Sequence, residues 1–273
     1  MRLGISTSLN ETDAEKWALK LSEAGCGSAV FPVDCTADDE VIDGFVKAAF
    51  EHDITIAEVG IWRNAISQDL NEREKNLKYS VDQLRLADRI GAVCCVNVAG
   101  SMGKRWDGGY KENYGSEAWK LTVDMIKRVI DEAEPKNTYF SIESMPWMIP
   151  SSPEEYLRLI DAVDRERFSV HLDIINMINT PERYFMHEEF LEHTFDLLGS
   201  RIKSCHMKDI KLLDGYTFQL KECACGEGTF SLEKYAQLID GVNPDMPVII
   251  EHLGSDEEYF SSVKYVRNRL GTV

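Results

Sequence analysis

The sequence is short of positive charge. It carries 30 Lys and Arg against 47 Asp and Glu, a formal charge of −17 at pH 7, and it has six histidines. A surface of that sign repels phosphate backbones and anionic headgroups, so nucleic acid and membrane surfaces are not expected as partners. Long apolar runs are missing too, and no stretch is long enough to cross a bilayer. There is no linker, low-complexity run or close repeat, so one domain over residues 1–273 is expected. No leader is evident either. Met1-Arg-Leu-Gly-Ile-Ser6 already reads as a strand and predicts that no signal or transit peptide precedes it. Cysteine is present but in odd number: Cys26, Cys35, Cys94, Cys95, Cys205, Cys223 and Cys225. Several sit in apolar strand contexts, which points to reduced thiols and a cytoplasmic protein rather than a disulfide framework.

Against these absences stands an ordinary hydrophobic fraction of 44%, enough for a large core, and a regular alternation. Short apolar, β-branched runs at 2–6, 28–31, 54–59, 93–98, 138–143, 168–173, 202–207 and 247–251 predict strands. Helical periodicity fills 12–24, 38–52, 71–90, 116–133, 153–163, 187–198, 231–239 and 256–270. Glycines at 25, 91 and 199 follow three of the helices, and Ser152-Pro153-Glu154-Glu155 opens another with a cap and first-turn acids. Strands alternating with helices predict a closed parallel (β/α)8 barrel, and the length suits one such domain. Two connections are longer than usual, an aromatic and glycine-rich stretch at 99–115 and an irregular insertion at 212–229.

The most informative stretch is Thr138-Tyr-Phe-Ser-Ile-Glu143, an apolar strand that stops at a carboxylate. The pattern recurs. Phe168-Ser-Val-His-Leu-Asp173 ends in Asp173, Ile202-Lys-Ser-Cys-His206 in His206, and Val248-Ile-Ile-Glu251 in Glu251. The gaps are 30, 33 and 45 residues, close to the ~31-residue repeat of an eight-unit barrel, with one insertion before the last. Ionisable groups at buried strand ends need partners. Any one of these alone reads equally well as a salt bridge at the rim; four in step read as one site at the end of the barrel where catalytic groups lie. Two Glu, one Asp and one His form an oxygen-rich donor set with one imidazole. It suits Mn²⁺, Mg²⁺, Co²⁺ or Zn²⁺ with positions left for substrate oxygens, and is too poor in thiolate for a structural zinc site.

The segments Ser-Ile-Glu143-Ser-Met-Pro-Trp147, Val-His171-Leu-Asp173-Ile-Ile-Asn176, Ser-Cys-His206-Met-Lys208-Asp209 and Ile-Ile-Glu251-His252 resemble the xylose-isomerase-like barrel superfamily. That group includes sugar isomerases, ketose epimerases, hydroxypyruvate- and inosose-acting enzymes and endonuclease IV. The resemblance spans essentially the whole chain. It implies that Glu143, Asp173, His206 and Glu251 hold one divalent metal, most often manganese, and that Glu143 and Glu251 also serve as acid and base on a sugar. Together with the chemistry of such a site, in which a chelated metal acidifies the carbon between carbonyl and hydroxyl, it points to an isomerase or epimerase acting through an enediolate, with a homo-oligomer left open. Two departures are visible. Ketose 3-epimerases carry a His three residues after the Asp ligand, where this chain has Asn176, and an Arg soon after the His ligand, where it has Lys208 and Lys211 and no Arg before Arg267. The extra His ligands and basic groove of endonuclease IV have no counterpart in the histidine count and charge. Dehydration or decarboxylation of a keto-sugar acid on the same barrel, or a non-catalytic sugar-binding subunit, stay open as alternatives.

Side-chain parity along the strands adds supporting candidates. His171 shares a face with Asp173, and Lys208 with His206. His171 reads as a substrate contact or a ligand-orienting group, or as a plain hydrogen-bonded core histidine. Lys208 reads as a cation for an enediolate, carboxylate or phosphate, or as an ion pair with Asp209 or Glu227. Glu58 and Asn97 are expected at the ends of the third and fourth strands, with Asn176, Trp62 and Trp147 also lining the substrate space and Trp106 nearby. Aromatic walls suit the apolar faces of a sugar ring. Cys223-Ala-Cys225 is spaced too tightly for a metal pair. Gly226-Glu-Gly228 reads as a turn that brings the insertion, with Glu222, back to the site.

Overall fold

Each apolar run becomes a short buried strand. The structure, a computed structural model, describes residues 1–6 and 11–270. Its strands are β1 (Arg2–Ile5), β2 (Ser28–Val30), β3 (Thr55–Gly60), β4 (Cys94–Asn97), β5 (Tyr139–Glu143), β6 (Phe168–Leu172), β7 (Ile202–Met207), β8 (Asp209–Leu212), β9 (Leu220–Cys223) and β10 (Pro247–Ile250). The helices among the described residues are α1 (Ala14–Glu23), α2 (Asp39–Glu51), α3 (Leu70–Ile90), α4 (Ser116–Ala133), α5 (Pro153–Val163), α6 (Ile174–Met177), α7 (Pro181–Phe185), α8 (His187–Leu198), α9 (Leu232–Val242) and α10 (Asp256–Leu270). Eight strands form one sheet in the order β1-β10-β7-β6-β5-β4-β3-β2. Apart from the displaced hairpin numbers, this is sequence order around a ring, the arrangement of a (β/α)8 barrel.

By internal contacts the chain divides into two compact units, one of Met1–Ala57, Ile178–Gly199 and Ser204–Val273, the other of Glu58–Met177 and Ser200–Lys203. In the second unit β3, β4, β5 and β6 pair in parallel, with Glu58 opposite Cys94, Asn97 opposite Ile142 and Glu143 opposite His171. Val96, Leu84, Ile126, Phe140, Leu159 and Val170 are fully buried around them. The caps follow local chemistry. The Asp69 carboxylate accepts from the amides of Asn71 and Glu72 at the start of α3, and Gly91 ends that helix at φ 70°. Ser152 accepts from Glu155 N at the start of α5, with Pro153 in the first turn. The stretch at 99–115 stays largely irregular, apart from a 3-10 turn at Lys111–Tyr114, yet it is tied down. Asn113 donates to the carbonyls of Gly108 and Trp147 and accepts from Met102 N, while the Ser101 hydroxyl donates to Gly108 O.

In the first unit β1 pairs with β10, and β10 with β7, placing Ile249 opposite His206. β1 and β2 meet closely. Gly27 N donates to Leu3 O at 2.8 Å and Ser28 Oγ to Arg2 O at 2.8 Å. A β-carbon on Gly4 would lie 2.3 Å from the Ser28 carbonyl oxygen, so only glycine permits that approach. Trp17 and Phe45 pack edge to face at 5.4 Å under α1 and α2.

Two expectations are corrected and one segment is added. β3 continues to Gly60, so Glu58 lies within the strand and not at its end. The insertion is not wholly irregular. It holds the antiparallel hairpin β8–β9, with Asp209 opposite Cys223 and Leu212 opposite Leu220; Leu-Leu followed by Asp-Gly in its connection gave no alternating pattern to read. The segment after Asp173 contains two further short helices, α6 and α7, too short for a periodicity to register.

Candidate functional site

Of the four expected ligands, the second unit carries Glu143 and Asp173. Glu143 is the last residue of β5, and Asp173 follows the last residue of β6. Both are buried, at 4% and 0% exposure. One side chain serves the two. The Asn176 amide nitrogen lies 3.0 Å from Glu143 Oε1 and 2.6 Å from Asp173 Oδ2, and Asn176 N donates back to Asp173 Oδ1 at 3.2 Å. An amide has two N–H donors and no charge, so it can hold both carboxylates in place without neutralising either. The strands beneath are pinned from the helical layer. The Tyr156 hydroxyl lies 2.5 Å from the Ile142 carbonyl and 3.1 Å from that of Ser169, and Ser144 Oγ donates to Asp173 O at 2.9 Å. Deeper in the same unit His171 Nδ1 stands 3.5 Å from Glu58 Oε2, both buried.

The first unit carries His206 on β7 and Glu251 just past β10. His206 Nδ1 is 3.0 Å from Glu251 Oε2. The other Glu251 oxygen receives Lys208 Nζ at 2.5 Å. Lys208 is 1% exposed, and its ammonium also meets Glu222 Oε1 at 3.1 Å. Glu222 comes from β9, and its second oxygen is 2.8 Å from His252 Nδ1, whose Nε2 is 3.5 Å from Glu251 Oε2. His252 sits in the left-handed region at φ 61°, a conformation that costs a residue with a β-carbon roughly 1–2 kcal/mol and turns its ring to Glu222. Burial opposes ionisation of Glu251, but His206 and Lys208 outweigh it and hold the carboxyl well below the ordinary range. Burial likewise opposes ionisation of Glu222, and His252 and Lys208 reverse the direction, lowering it. The Tyr235 hydroxyl donates to His206 O at 3.0 Å, the counterpart of Tyr156 in the other unit.

Glu143, Asp173, His206 and Glu251 each offer one ligand atom, and these atoms lie within 4.8 Å of one another; Glu58, His171 and His206 do the same. Three buried carboxylates against Lys208 and one imidazole leave an excess of negative charge. A divalent cation offsets it, so the donor set fits the expected metal ion. Lys208 meets Glu251 and Glu222. Asp209 accepts four backbone amides, those of Ile210, Gly226, Gly228 and Phe230, at 2.8–3.1 Å, and Glu227 meets Lys211. Asn97 ends β4 as expected, but its side chain holds the backbone of Arg63, accepting from N and donating to O at 3.1 Å each. Trp62 and Trp147 are about one-third exposed, and Trp147 Nε1 donates to Asp107 O at 2.7 Å. Reading the sequence anticipated that Glu222 would return to the site but gave it no role, and missed His252. The adjacency of His252 to Glu251 was the available signal.

A model of the xylose isomerase-like TIM barrel family matches residues 20–269. Several solved structures share the fold. A D-psicose 3-epimerase from Clostridium cellulolyticum H10, crystallised with D-tagatose, is 16% identical with a TM-score of 0.73 over 99% of each chain. The probable 3-DHS dehydratase AsbF from Bacillus anthracis, involved in petrobactin synthesis, is 16% identical with a TM-score of 0.74 over 98% of this chain and all of the other. A xylose isomerase-like TIM barrel protein from Mycobacterium smegmatis in complex with magnesium is 15% identical with a TM-score of 0.72 over 98% and 96%. At these identities the likeness is one of fold. No curated protein matches the chain.

Proposed function

Because the chain belongs to the xylose isomerase-like TIM barrel family, we propose that it is a divalent-metal-dependent isomerase or epimerase of a small keto-sugar or sugar-acid derivative. The observation that carries this reading is the buried donor set Glu143, Asp173, His206 and Glu251 with ligand atoms within 4.8 Å of one another. These four residues would hold the ion, Mn²⁺ by the family resemblance, with Mg²⁺, Co²⁺ and Zn²⁺ equally compatible with the donor set. When bound, the ion would polarise adjacent carbonyl and hydroxyl oxygens of the substrate and acidify the carbon between them. The chain's own residues do the rest. Asn176 orients Glu143 and Asp173. Glu143 and Glu251 would be the two groups that take the carbon-bound proton and return it at another face or carbon. His206 and then Lys208 hold Glu251 ionised against its burial. Because Lys208 is already matched by Glu222 and Glu251, an uncharged polyol is favoured over a phosphorylated one. Trp62 and Trp147 offer apolar faces to a sugar ring.

The test is solvent exchange. With Mn²⁺ and candidate keto-polyols in D₂O, the wild type incorporates deuterium at the carbon beside the carbonyl. Glu143→Gln and Glu251→Gln stay folded, bind metal at high concentration, and lose at least about a hundredfold in turnover even when saturated, because an amide cannot accept the proton. Turnover without exchange would indicate a hydride shift and remove the two-carboxylate mechanism. Release of water or CO₂ would redirect the reading to a dehydratase or decarboxylase, and binding without turnover to a sugar-binding subunit.

A further inference from the structure

The eight β/α units do not account for Glu222. It arrives on β9, the second strand of a two-stranded hairpin, and yet reaches the buried ammonium of Lys208. We propose that Glu222 is a positioning residue for the metal centre: it receives the charge of Lys208 so that Glu251 can serve a metal ion. The inference rests on the metal-dependent reading above. Lys208 Nζ is shared between Glu251 Oε1 at 2.5 Å and Glu222 Oε1 at 3.1 Å. An ammonium and a divalent ion on one carboxylate repel each other, so metal binding at Glu251 works against its contact with Lys208. Lys208 is almost wholly buried and cannot escape to water, so a second carboxylate within reach decides whether its displacement is tolerated. Glu222 is that carboxylate, and its position is fixed from both sides. His252 Nδ1 meets its other oxygen at 2.8 Å. Asp209, next to Lys208 in sequence, gathers the amides of Gly226, Gly228 and Phe230 and so fixes the return of the hairpin. A β-carbon on Gly228 would stand 2.1 Å from Asp209 Oδ1, so the clasp needs glycine there.

The experiment is titration of the full chain with Mn²⁺, read by calorimetry and by the loss of the free-ion electron paramagnetic signal, for the wild type, Glu222→Gln, Lys208→Met and the double variant. Glu222→Gln weakens Mn²⁺ binding on the order of 10-fold or more, the usual scale for groups that orient ligands. Lys208→Met binds at least as tightly as the wild type, and in its background Glu222→Gln changes affinity less than about twofold, because the charge to be received is gone. Glu222→Asp, which keeps the charge, restores most of the affinity and guards against a general packing defect in the glutamine variant. Circular dichroism melts confirm that each variant is folded. Equal affinity in Glu222→Gln and the wild type, or the same loss with and without Lys208, overturns the inference and leaves the metal site standing. A wild type that binds no Mn²⁺ overturns the metal-dependent reading and this inference with it.

Discussion

The two units carry two ligands each, and they orient them by opposite means. Glu143 and Asp173 are held by a neutral amide, that of Asn176, three residues beyond Asp173 and on the turn that α6 begins. Glu251 is held by an ion network, Lys208, Glu222 and His252, gathered from β9 and the residues that follow β7 and β10. The first arrangement is local and brings no counter-charge to either carboxylate. The second is assembled across 44 residues from Lys208 to His252 and tempers the carboxylate it supports. One half of the ligand set is therefore held by a neutral amide, and the other by a cation.

That contrast can be broken at three scales. The largest effect comes from removing a ligand in each half. Asp173→Ala and His206→Ala should each lower metal affinity 10-fold or more, taking the 10–100-fold losses of orienting groups as a lower guide; elemental analysis after dialysis against Mn²⁺ checks this, and retention of wild-type metal content in both would dissolve the pairing. An intermediate effect separates the orienting groups. Asn176→Ala leaves two buried carboxylates without their shared donor and should cost about 1–3 kcal/mol in the metal-free protein by chemical denaturation. Part of this should return on adding Mn²⁺, since an ion that binds only the folded chain stabilises it. No recovery would mean that the amide acts on packing alone. The smallest effect lies beneath Glu143, where Asp88 Oδ1 receives the amides of Lys136, Asn137 and Thr138 just ahead of β5. Partial burial opposes its ionisation, but those amides prevail and lower its pKa. A lowered folded-state value means stabilisation that is complete above the unfolded value near 3.9 and fades as pH falls through the folded one. Asp88→Asn should therefore melt earlier than the wild type at pH 7, with the difference closing below about pH 4. A gap that persists at pH 2 would show that the carboxylate charge is not its source.

Much of this arrangement could be read from residues alone, and the unread part has a common cause. Glu143, Asp173, His206 and Glu251 were legible because apolar strands ending one unit apart in ligand-type side chains form a period, and a period survives without coordinates. The (β/α)8 order was legible for the same reason. Asn176 was visible only as a departure from the ketose epimerases, since nothing in its neighbours reveals that its amide faces two carboxylates. Glu58 was misplaced because Val59-Gly60 gives no sign of whether a strand continues. Lys208 reads from sequence either as a cation for substrate or as an ion-pair partner of Asp209 or Glu227, whereas the carboxylates it meets, Glu222 and Glu251, lie 14 and 43 residues away. Asp209 is claimed by four backbone amides, which leave no mark in a sequence.

That claim gives the molecule a seam. Asp209 ties the hairpin's first residue to the turn that closes it, so everything between behaves as an inset clipped into the frame at one carboxylate. Residues 213–219 lie at the far end of the inset, and Tyr216 there stands fully exposed. Length and composition can drift at that end without disturbing the clip, while Glu222, halfway along the returning strand, keeps its register from Asp209 through the pairing of Ile210 with Glu222. In evolutionary terms this is a place where a barrel can acquire new outer surface and yet deliver the same carboxylate to the same lysine.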